Sequence, residues 1–328
     1  MNILFIVKKK NIENYNFKEI LNNNLCKLDI GFLLISLKTF ANVDIITLKE
    51  FAQNNIQKKY NHVFIDGKIQ LENDAKIFLP YLIEKIRTKV SIFCAYDGPL
   101  IYENVFVYEK FLDVSNYFVP NLLKNYDMYN LPKIVKDKLY PTHYGLGFID
   151  IPYSFEQKSF IVEKFDNIYN SDIFFSGIKS ETKVTRNKVI EYLQNEKKII
   201  KKIINYYEEK DKKKLEINPK KYVELTKKSK INLVLSGNLN NITYRLYEVL
   251  SLKSFFLIDS FYLNYKISEN FENNSEFVFN NLYELGNKIE YYIKNYDEAK
   301  LIRLKQTESF EKFYNPEKHG LSIQKLIM

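Results

Sequence analysis

The segment from Lys230 to Asp259 constrains the fold more than any other part of this chain of 328 residues. Ile231 to Leu235 is a short apolar run with several β-branched residues, which is typical of a buried strand. Polar residues follow it, then apolar residues at helical spacing up to Ser251, and Phe255 to Ile258 forms a second buried run. This order predicts a βαβ unit with two parallel strands and a right-handed crossover.

Side chains suited to a phosphorylated ligand follow the first of these strands. Ligands of open parallel sheets bind beyond the carboxyl ends of the strands. Gly237 permits a close approach of the ligand to the backbone, and the N-terminus of the next helix attracts anions. Arg245 can hold two phosphate oxygens with its planar fork, and Glu248, on the same helix face, can accept both hydroxyls of a ribose. The candidate residues are Ser236, Gly237, Asn238, Asn240, Thr243, Arg245 and Glu248. A structural alternative is that Arg245 and Glu248 form a surface ion pair that contributes little.

This segment resembles the donor domain of the GT-B glycosyltransferases, most closely the CgeB-like (spore-maturation) group of the glycosyltransferase 1/4 type. The resembling residues run from Ser229 to Gly237 and from Thr243 to Ser260. In that family the Arg and the Glu of the segment face the nucleotide-sugar, and Arg245 and Glu248 stand at their positions. Many relatives carry a glutamate where this chain has Asn240, and a glycine after the helix where it has Lys253 and Ser254.

The resemblance continues along most of the chain in the same order. Asn167 to Gly177 resembles the first strand of the donor domain, Ser275 to Leu285 a later strand and helix, and Ala299 to Lys318 the closing helices. Tyr96 to Pro99 and Phe111 to Val114 resemble two landmarks of the N-terminal domain.

The resemblance implies an α/β protein with the GT-B fold, in which two Rossmann-like domains face a central cleft. The expected boundaries are 1–150 for an acceptor-side domain, 151–305 for the donor domain, and 306–328 for a helix that returns to the N-terminal domain. Alternating strands and helices from Asn2 to Ala95 independently predict a Rossmann-like sheet. No Gly-x-Gly-x-x-Gly follows the first strand and no P-loop motif occurs, so a classical dinucleotide site is not expected there.

The loop after the first donor-domain strand supplies further candidates for contact with phosphate or sugar. They are Ser176, Gly177, Lys179 and Arg186. The apolar residues from Val189 to Tyr207 have the spacing of a helix stripe and predict core packing. His62 is expected at the surface, and His319 in a structural role.

The activity implied by the resemblance is transfer of a sugar from a nucleotide-sugar, such as a UDP- or GDP-sugar, to a hydroxyl of a glycan, lipid-linked glycan or protein. GT-B enzymes generally need no bound metal, and no other cofactor is expected. An inverting enzyme needs a general base, and Asp97 and His143 are the candidates for it. A retaining enzyme does not need a general base of this kind. The structural alternatives are a turn or helix cap for Asp97 and a loop-packing role for His143.

Charge and composition bound the partners. The net charge is +9, and residues 179–230 hold 17 Lys or Arg against 8 Asp or Glu, an excess that equals the net charge. Such a segment can meet nucleic acid, acidic lipid or an anionic glycan. A solvated helix is favoured instead, so no nucleic-acid partner is expected. Cys26 and Cys94 both lie in apolar stretches of the sequence, so they are expected to be buried free thiols, as in a reducing compartment.

No apolar run approaches the length that spans a bilayer, and the one at the N-terminus is too short for a signal peptide. A cytoplasmic location is therefore expected, with contact at a membrane surface left open.

Three rival interpretations remain open. A nucleotide-sugar 2-epimerase shares the GT-B architecture but needs several acids and histidines in its cleft, and this chain has three histidines. A basic nucleic-acid-binding protein would use the segment from Lys179 to Lys230 and would show binding that falls steeply with salt. A degenerate glycosyltransferase would only bind its glycan.

Overall fold

A computed structural model of the protein divides into two α/β units. Unit 1 comprises Met1–Gly145, Pro152–Ser159 and Tyr314–Met328, and unit 2 comprises Leu146–Ile151 and Phe160–Phe313. The residues that the structure describes are 1–7, 11–12, 15–26, 29–53, 59–71, 86, 88–94, 114–120, 122–125, 131–147, 149–162, 169–179, 183–196, 201–208, 217–237 and 241–328.

Unit 1 is built on a sheet of six described strands. These are β1 (Asn2–Val7), β4 (Asn42–Thr47), β5 (His62–Asp66), β6 (Val90–Phe93), β7 (Val114–Val119) and β8 (Leu139–Pro141). They lie in the order β4-β1-β5-β6-β7-β8, and every ladder between them is parallel. The Rossmann-like sheet expected from the sequence is therefore present in this unit. Two short strands, β2 (Asn11–Ile12) and β3 (Tyr15–Asn16), pair as an antiparallel hairpin.

Five described helices accompany this sheet. They are α1 (Phe17–Asn22), α2 (Gly31–Lys38), α3 (Leu48–Gln53), α4 (Lys133–Lys136) and α10 (Pro316–Ile327). Helix α2 is apolar along nearly its whole length and buried except at its last residue, because it packs against both β4 and α10. The C-terminal helix thus belongs to the N-terminal unit.

Unit 2 contains a sheet of five described strands, all parallel. They are β11 (Ser171–Lys179), β12 (Lys202–Glu208), β13 (Ser229–Val234), β14 (Phe256–Asp259) and β15 (Val278–Phe279), in the order β12-β11-β13-β14-β15. The helices are α5 (Val184–Asn195), α6 (Pro219–Lys227), α7 (Arg245–Ser251), α8 (Leu282–Lys294) and α9 (Tyr296–Phe313). The predicted βαβ unit is β13-α7-β14. The chain also contains a two-stranded ladder of β9 (Tyr153–Ser154) with β10 (Ser159–Phe160).

Two sequence expectations were wrong. The predicted helix stripe from Val189 to Tyr207 is split, because α5 ends at Asn195 and Lys202–Glu208 is the strand β12. His62 was expected at the surface but is fully buried in β5, where its Nε2 lies 2.9 Å from the Ser91 hydroxyl. Among the described residues, no helix is both long enough and apolar enough to cross a membrane.

Candidate functional site

The carboxyl edge of the unit 2 sheet contains a point where the strand order reverses. The first strand of this sheet, β11, lies between the second, β12, and the third, β13. The ladder of β11 with β13 ends at the pair Phe174 and Asn232, whereas its ladder with β12 continues to Lys179 and Glu208. Ligands of open α/β sheets bind at such a reversal, beyond the carboxyl ends of the strands.

Arg186 joins the two strands at this reversal. It projects from the first turn of α5 and is only 7% exposed. One terminal nitrogen of the guanidinium donates to the Ile178 carbonyl at 3.2 Å, and the other donates to the carbonyls of Leu235 at 3.2 Å and Ser236 at 3.0 Å. Arg186 was predicted to contact phosphate or sugar, which stays a prediction; in the structure it fixes backbone at the ends of β11 and β13.

Ser236 and Gly237 form the turn that ends β13. The Ser236 amide donates to the Asp259 carboxylate at 2.6 Å, and the Gly237 amide donates to the Asn241 carbonyl at 2.7 Å. A Cβ on Gly237 would lie 3.0 Å from the Thr243 methyl group, so the turn is close-packed. Burial raises the pKa of Asp259, although its hydrogen bonds with Ser236 and the charge of Arg186 act in the opposite direction.

Arg245, the first residue of α7, packs its guanidinium against three aromatic rings. Its guanidinium carbon is 5.9 Å from the ring centre of Phe174, 5.3 Å from that of Phe175 and 5.2 Å from that of Tyr222. The side chain is half-buried and has no hydrogen bond or ion pair within the described part of the chain. Cation–π contacts orient a guanidinium without using its N–H donors. The donors of Arg245 are thus held in place and available to a ligand.

Phe175 connects the two arginines of the site. Its ring centre is 5.9 Å from the Arg186 guanidinium and 5.3 Å from that of Arg245. Both guanidinium groups therefore lie at this edge of the sheet, with the carboxyl groups of Glu248 and Asp259 nearby.

Glu248 lies one turn after Arg245 and is 9% exposed. Burial raises the pKa of its carboxyl group, while the Arg245 charge and the Tyr222 hydroxyl lower it. One carboxylate oxygen lies against Gly147, at a position that any side chain on Gly147 would occupy. The predicted pair of Arg245 and Glu248 is therefore present on one helix, but Glu248 is enclosed rather than part of an exposed ion pair.

Three other predicted residues lie around the end of β11. The Ser176 hydroxyl accepts from the Asn205 side chain at 3.4 Å. Gly177 lies beside Arg186, because a Cβ there would be 3.4 Å from a guanidinium nitrogen. The Lys179 ammonium is 3.4 Å from the Glu191 carboxylate and 5.8 Å from the Tyr206 ring centre. Lys179 thus has partners on α5 and β12.

Thr243 lines a cavity of about 10 Å³ behind the Ser236 turn, together with Asn241, Asp259 and Tyr262. The Thr243 hydroxyl, the Asn241 amide nitrogen and the Tyr262 hydroxyl have no hydrogen-bond partner among the described residues. A cavity of this size and polarity accommodates about one water molecule.

Of the two candidate bases, the structure describes His143 but not Asp97. Asp97 lies outside the described residues, as do Asn238 and Asn240. His143 belongs to an aromatic cluster in unit 1, in which its ring centre is 5.1 Å from that of Phe32, 5.5 Å from that of Tyr314 and 5.8 Å from that of His319. His319 itself lies 2.9 Å from the Thr142 hydroxyl. The catalytic role of Asp97 or His143 stays a prediction.

Sequence reasoning missed three residues that shape this site. Asp259 ends β14 at the same sheet edge, and that position was the available signal. Phe175 and Tyr222 hold Arg245, but isolated aromatic residues in a chain with 25 Phe and 26 Tyr carry no distinct signal.

Comparison with known proteins agrees with this fold. Residues 186–324 match a family model described as "Glycosyl transferase-like". Among solved structures, the DNA-modifying enzyme β-glucosyltransferase is 16% identical, with coverage of 100% of this chain and 99% of that chain and a TM-score of 0.58. HepE of Anabaena in complex with UDP-glucose is 10% identical, with coverage of 99% and 98% and a TM-score of 0.60. No curated protein matches the sequence.

The chain has the GT-B fold of the glycosyltransferases. Together with the family match, this fold supports a glycosyltransferase enzyme. The CgeB-like subtype stays a prediction. T4 phage β-glucosyltransferase has also been solved with UDP and Mn²⁺, at 16% identity and a TM-score of 0.56. Within the described residues of this GT-B chain, no group of three or more His, Cys, Asp or Glu side chains is placed to hold a metal ion.

Proposed function

We propose that the protein transfers a sugar from a nucleotide-sugar to a hydroxyl group, and that unit 2 binds the donor at the carboxyl edge of its sheet. The observation that carries this proposal is the Arg245 guanidinium. It is oriented by Phe175 and Tyr222, is without a hydrogen-bond partner in the described part of the chain, and stands one helical turn from the buried Glu248.

Arg245 would bind the diphosphate of the donor. When the bond between the sugar and the diphosphate breaks, negative charge develops on the leaving oxygen, and a positioned cation lowers the energy of that transition state. The fork of a guanidinium matches two phosphate oxygens. We propose that Arg245 supplies this stabilisation and that a bound metal is not required. Helix α7 begins only at Arg245 and has seven residues, so its N-terminus is a minor contributor.

Glu248 would bind the ribose. Its carboxylate is enclosed next to Gly147 and lies near the positive charge of Arg245. A buried carboxylate that accepts two hydroxyl donors is better satisfied than one left alone, so donor binding would repay part of the cost of burying it.

UDP-sugars are the first donors to test, because the structures similar to this chain include complexes with UDP-glucose. The acceptor would be a hydroxyl of a glycan, lipid-linked glycan or protein. One similar enzyme is described as DNA-modifying, and this chain has a net charge of +9. Hydroxyl-bearing DNA therefore belongs in the acceptor panel, although no nucleic-acid partner was expected from the sequence.

A thermal-shift panel of UDP, GDP, CDP, TDP and ADP tests the donor site. At about one hundred times its Kd, one diphosphate should stabilise the wild type by about 2.7 kcal/mol. Glu248→Ala should abolish this stabilisation, and Glu311→Ala, which removes an exposed partner of Lys253, should retain it. The same panel with Mn²⁺ or with a chelator tests the metal-independent proposal.

Sugar transfer is then measured as release of the diphosphate from the matching nucleotide-sugar, with and without each acceptor. A 2-epimerase would instead return an intact nucleotide-sugar with changed stereochemistry at the second sugar carbon. No shift with any diphosphate, together with tight and steeply salt-dependent binding of RNA or DNA, would overturn the proposal in favour of the basic nucleic-acid-binding protein.

A further inference from the structure

The backbone N–H and C=O of Ser236 are bound by side chains of opposite charge. The N–H donates to the Asp259 carboxylate, and the C=O accepts from the Arg186 guanidinium. We infer that Arg186 and Asp259 are positioning residues that fix the Ser236–Gly237 backbone for the donor diphosphate. This inference rests on the proposed function.

Asp259 binds the N–H side of the turn. Its carboxylate is 2% exposed and accepts the Ser236 amide at 2.6 Å. Hydrogen bonds to an ionised acceptor are about twice as strong as neutral ones. Because Asp259 ends β14 and Ser236 follows β13, this bond connects the ends of two neighbouring parallel strands.

Arg186 binds the carbonyl side and also reaches the other strand. Its guanidinium donates hydrogen bonds to the carbonyl oxygens of Ile178, Leu235 and Ser236. Carbonyl groups carry partial negative charge at the carboxyl end of a strand, and free carbonyls there would repel a diphosphate. Arg186 donates to three of them, so these carbonyl groups are no longer free to repel an anion.

The polar cavity behind the turn connects Asp259 to Asn241, the residue that binds Gly237. Asp259 shares its lining with Asn241, Thr243 and Tyr262, and the Asn241 carboxamide oxygen accepts from the Tyr265 hydroxyl at 3.0 Å. Since the Gly237 amide donates to the Asn241 carbonyl, a shift of Asp259 would be transmitted to both Gly237 and Asn241.

The test compares two aspartates of the same sheet. Asp172 lies near the amino end of β11, where its carboxylate accepts from the Lys201 amide at 3.2 Å and the Lys230 ammonium at 3.0 Å. Asp259→Ala and Asp172→Ala each remove a carboxylate that binds a backbone amide and lies near a cation. Only Asp259 is at the proposed donor edge. UDP affinity is measured by calorimetry well below the melting temperature of each variant.

We expect Asp259→Ala to raise the Kd for UDP by about tenfold or more, because the turn is released. Asp172→Ala should change that Kd by less than about twofold, whatever its effect on melting temperature. Asp259→Asn keeps an oxygen for the Ser236 amide and should restore most of the affinity. Equal Kd values in Asp259→Ala and Asp172→Ala would overturn the inference while leaving the donor site intact.

Amide hydrogen exchange of the unliganded wild type keeps the inference testable if Asp259→Ala does not fold. The Ser236 amide should be protected, because it donates to a buried carboxylate. Exchange of the Ser236 amide at the rate of an unstructured peptide would overturn the inference. If the wild type binds no nucleoside diphosphate, the proposed function fails first and the inference with it.

Discussion

A carboxylate oxygen of Glu248 occupies the space that a side chain at residue 147 would need. Gly147 has a φ of +53°, a conformation that glycine adopts without steric cost. Gly147 can therefore lie directly on Glu248, and both belong to unit 2. Gly147 thus lies directly against a carboxylate that is a candidate for binding ribose.

Gly147→Ala should impair both stability and donor binding. The left-handed conformation costs alanine about 1 kcal/mol, and the added methyl group displaces Glu248. We expect the free energy of unfolding to fall by about 1–3 kcal/mol and the Kd for UDP to rise by about tenfold. Denaturant unfolding and calorimetry measure the two effects separately.

Gly286→Ala is the matched control. A Cβ at Gly286 would also overlap an oxygen, the Tyr192 hydroxyl, but that hydroxyl ends a side chain that can rotate. Gly286 lies inside α8 and is outside the left-handed region, where alanine favours the helix by about 1 kcal/mol. Its UDP affinity should equal that of the wild type. An equal loss of affinity in both glycine variants would contradict the role given to Gly147.

Arg245 should dominate donor turnover. Arg245→Ala removes the cation that we propose faces the leaving group, so we expect kcat to fall by about a hundredfold. Arg245→Lys keeps the charge but loses the planar fork over Phe175 and Tyr222. Its kcat should therefore lie between that of the wild type and that of Arg245→Ala. Steady-state kinetics with saturating UDP-sugar gives the comparison.

Arg303→Ala serves as the reference for this series, since Arg303 lies on α9 and donates to the Tyr169 hydroxyl at 3.3 Å. Its kcat should stay near that of the wild type. Full activity of Arg245→Ala would show that the diphosphate is bound elsewhere.

The sequence was sufficient to predict the donor-side βαβ unit, because a buried parallel strand is a short apolar run and a polar break marks its carboxyl end. The position of Arg245 and Glu248 on one helix was predicted from the same pattern, since they are three residues apart. The strand β12 was mistaken for helix. Its residues continue the apolar spacing of α5, and only pairing with β11 over seven residues decides the conformation.

The contacts that hold the site are less visible in sequence. Arg186 appeared as a phosphate ligand, but its bonds to the carbonyls of Leu235 and Ser236 join residues about 50 positions apart. The contact between Gly147 and Glu248 spans about 100 positions. Periodicity reports the face of an element and not its partner, so such long-range contacts need the tertiary structure.

Two buried histidines of unit 1 should make stability fall in acid. Burial, together with the nearby Lys89 charge, lowers the pKa of His62 to about 4, and burial lowers that of His319 to about 3. The unfolded value is about 6.5. Between these values the unfolded chain binds protons that the folded chain does not. The free energy of unfolding should therefore fall by up to about 1.4 kcal/mol per pH unit and histidine as the pH drops from 6.5 towards 4.

His62→Gln tests this pH dependence, since glutamine can bond to the Ser91 hydroxyl without titrating. Urea unfolding from pH 7.5 to 4.5 should show a slope about 1 kcal/mol per pH unit shallower than that of the wild type. Burial raises the pKa values of Glu248 and Asp259, which acts in the opposite direction, but both proteins share that contribution. Identical slopes would show that His62 is not buried in its neutral form.

The contact of α10 with α2 should be sensitive to a single methyl group. A Cβ on Gly320 would overlap the Thr39 hydroxyl and the Ser36 carbonyl oxygen, and the second of these is backbone that cannot rotate away. We expect Gly320→Ala to lower the free energy of unfolding of unit 1 by about 1–3 kcal/mol, because overpacking forces the two helices apart. Ser322→Ala, two residues later on an exposed position of the same helix, also raises helix propensity and should change stability by less than about 0.5 kcal/mol. If denaturant unfolding gives Gly320→Ala the same stability as Ser322→Ala, the C-terminal helix does not pack on α2 in solution.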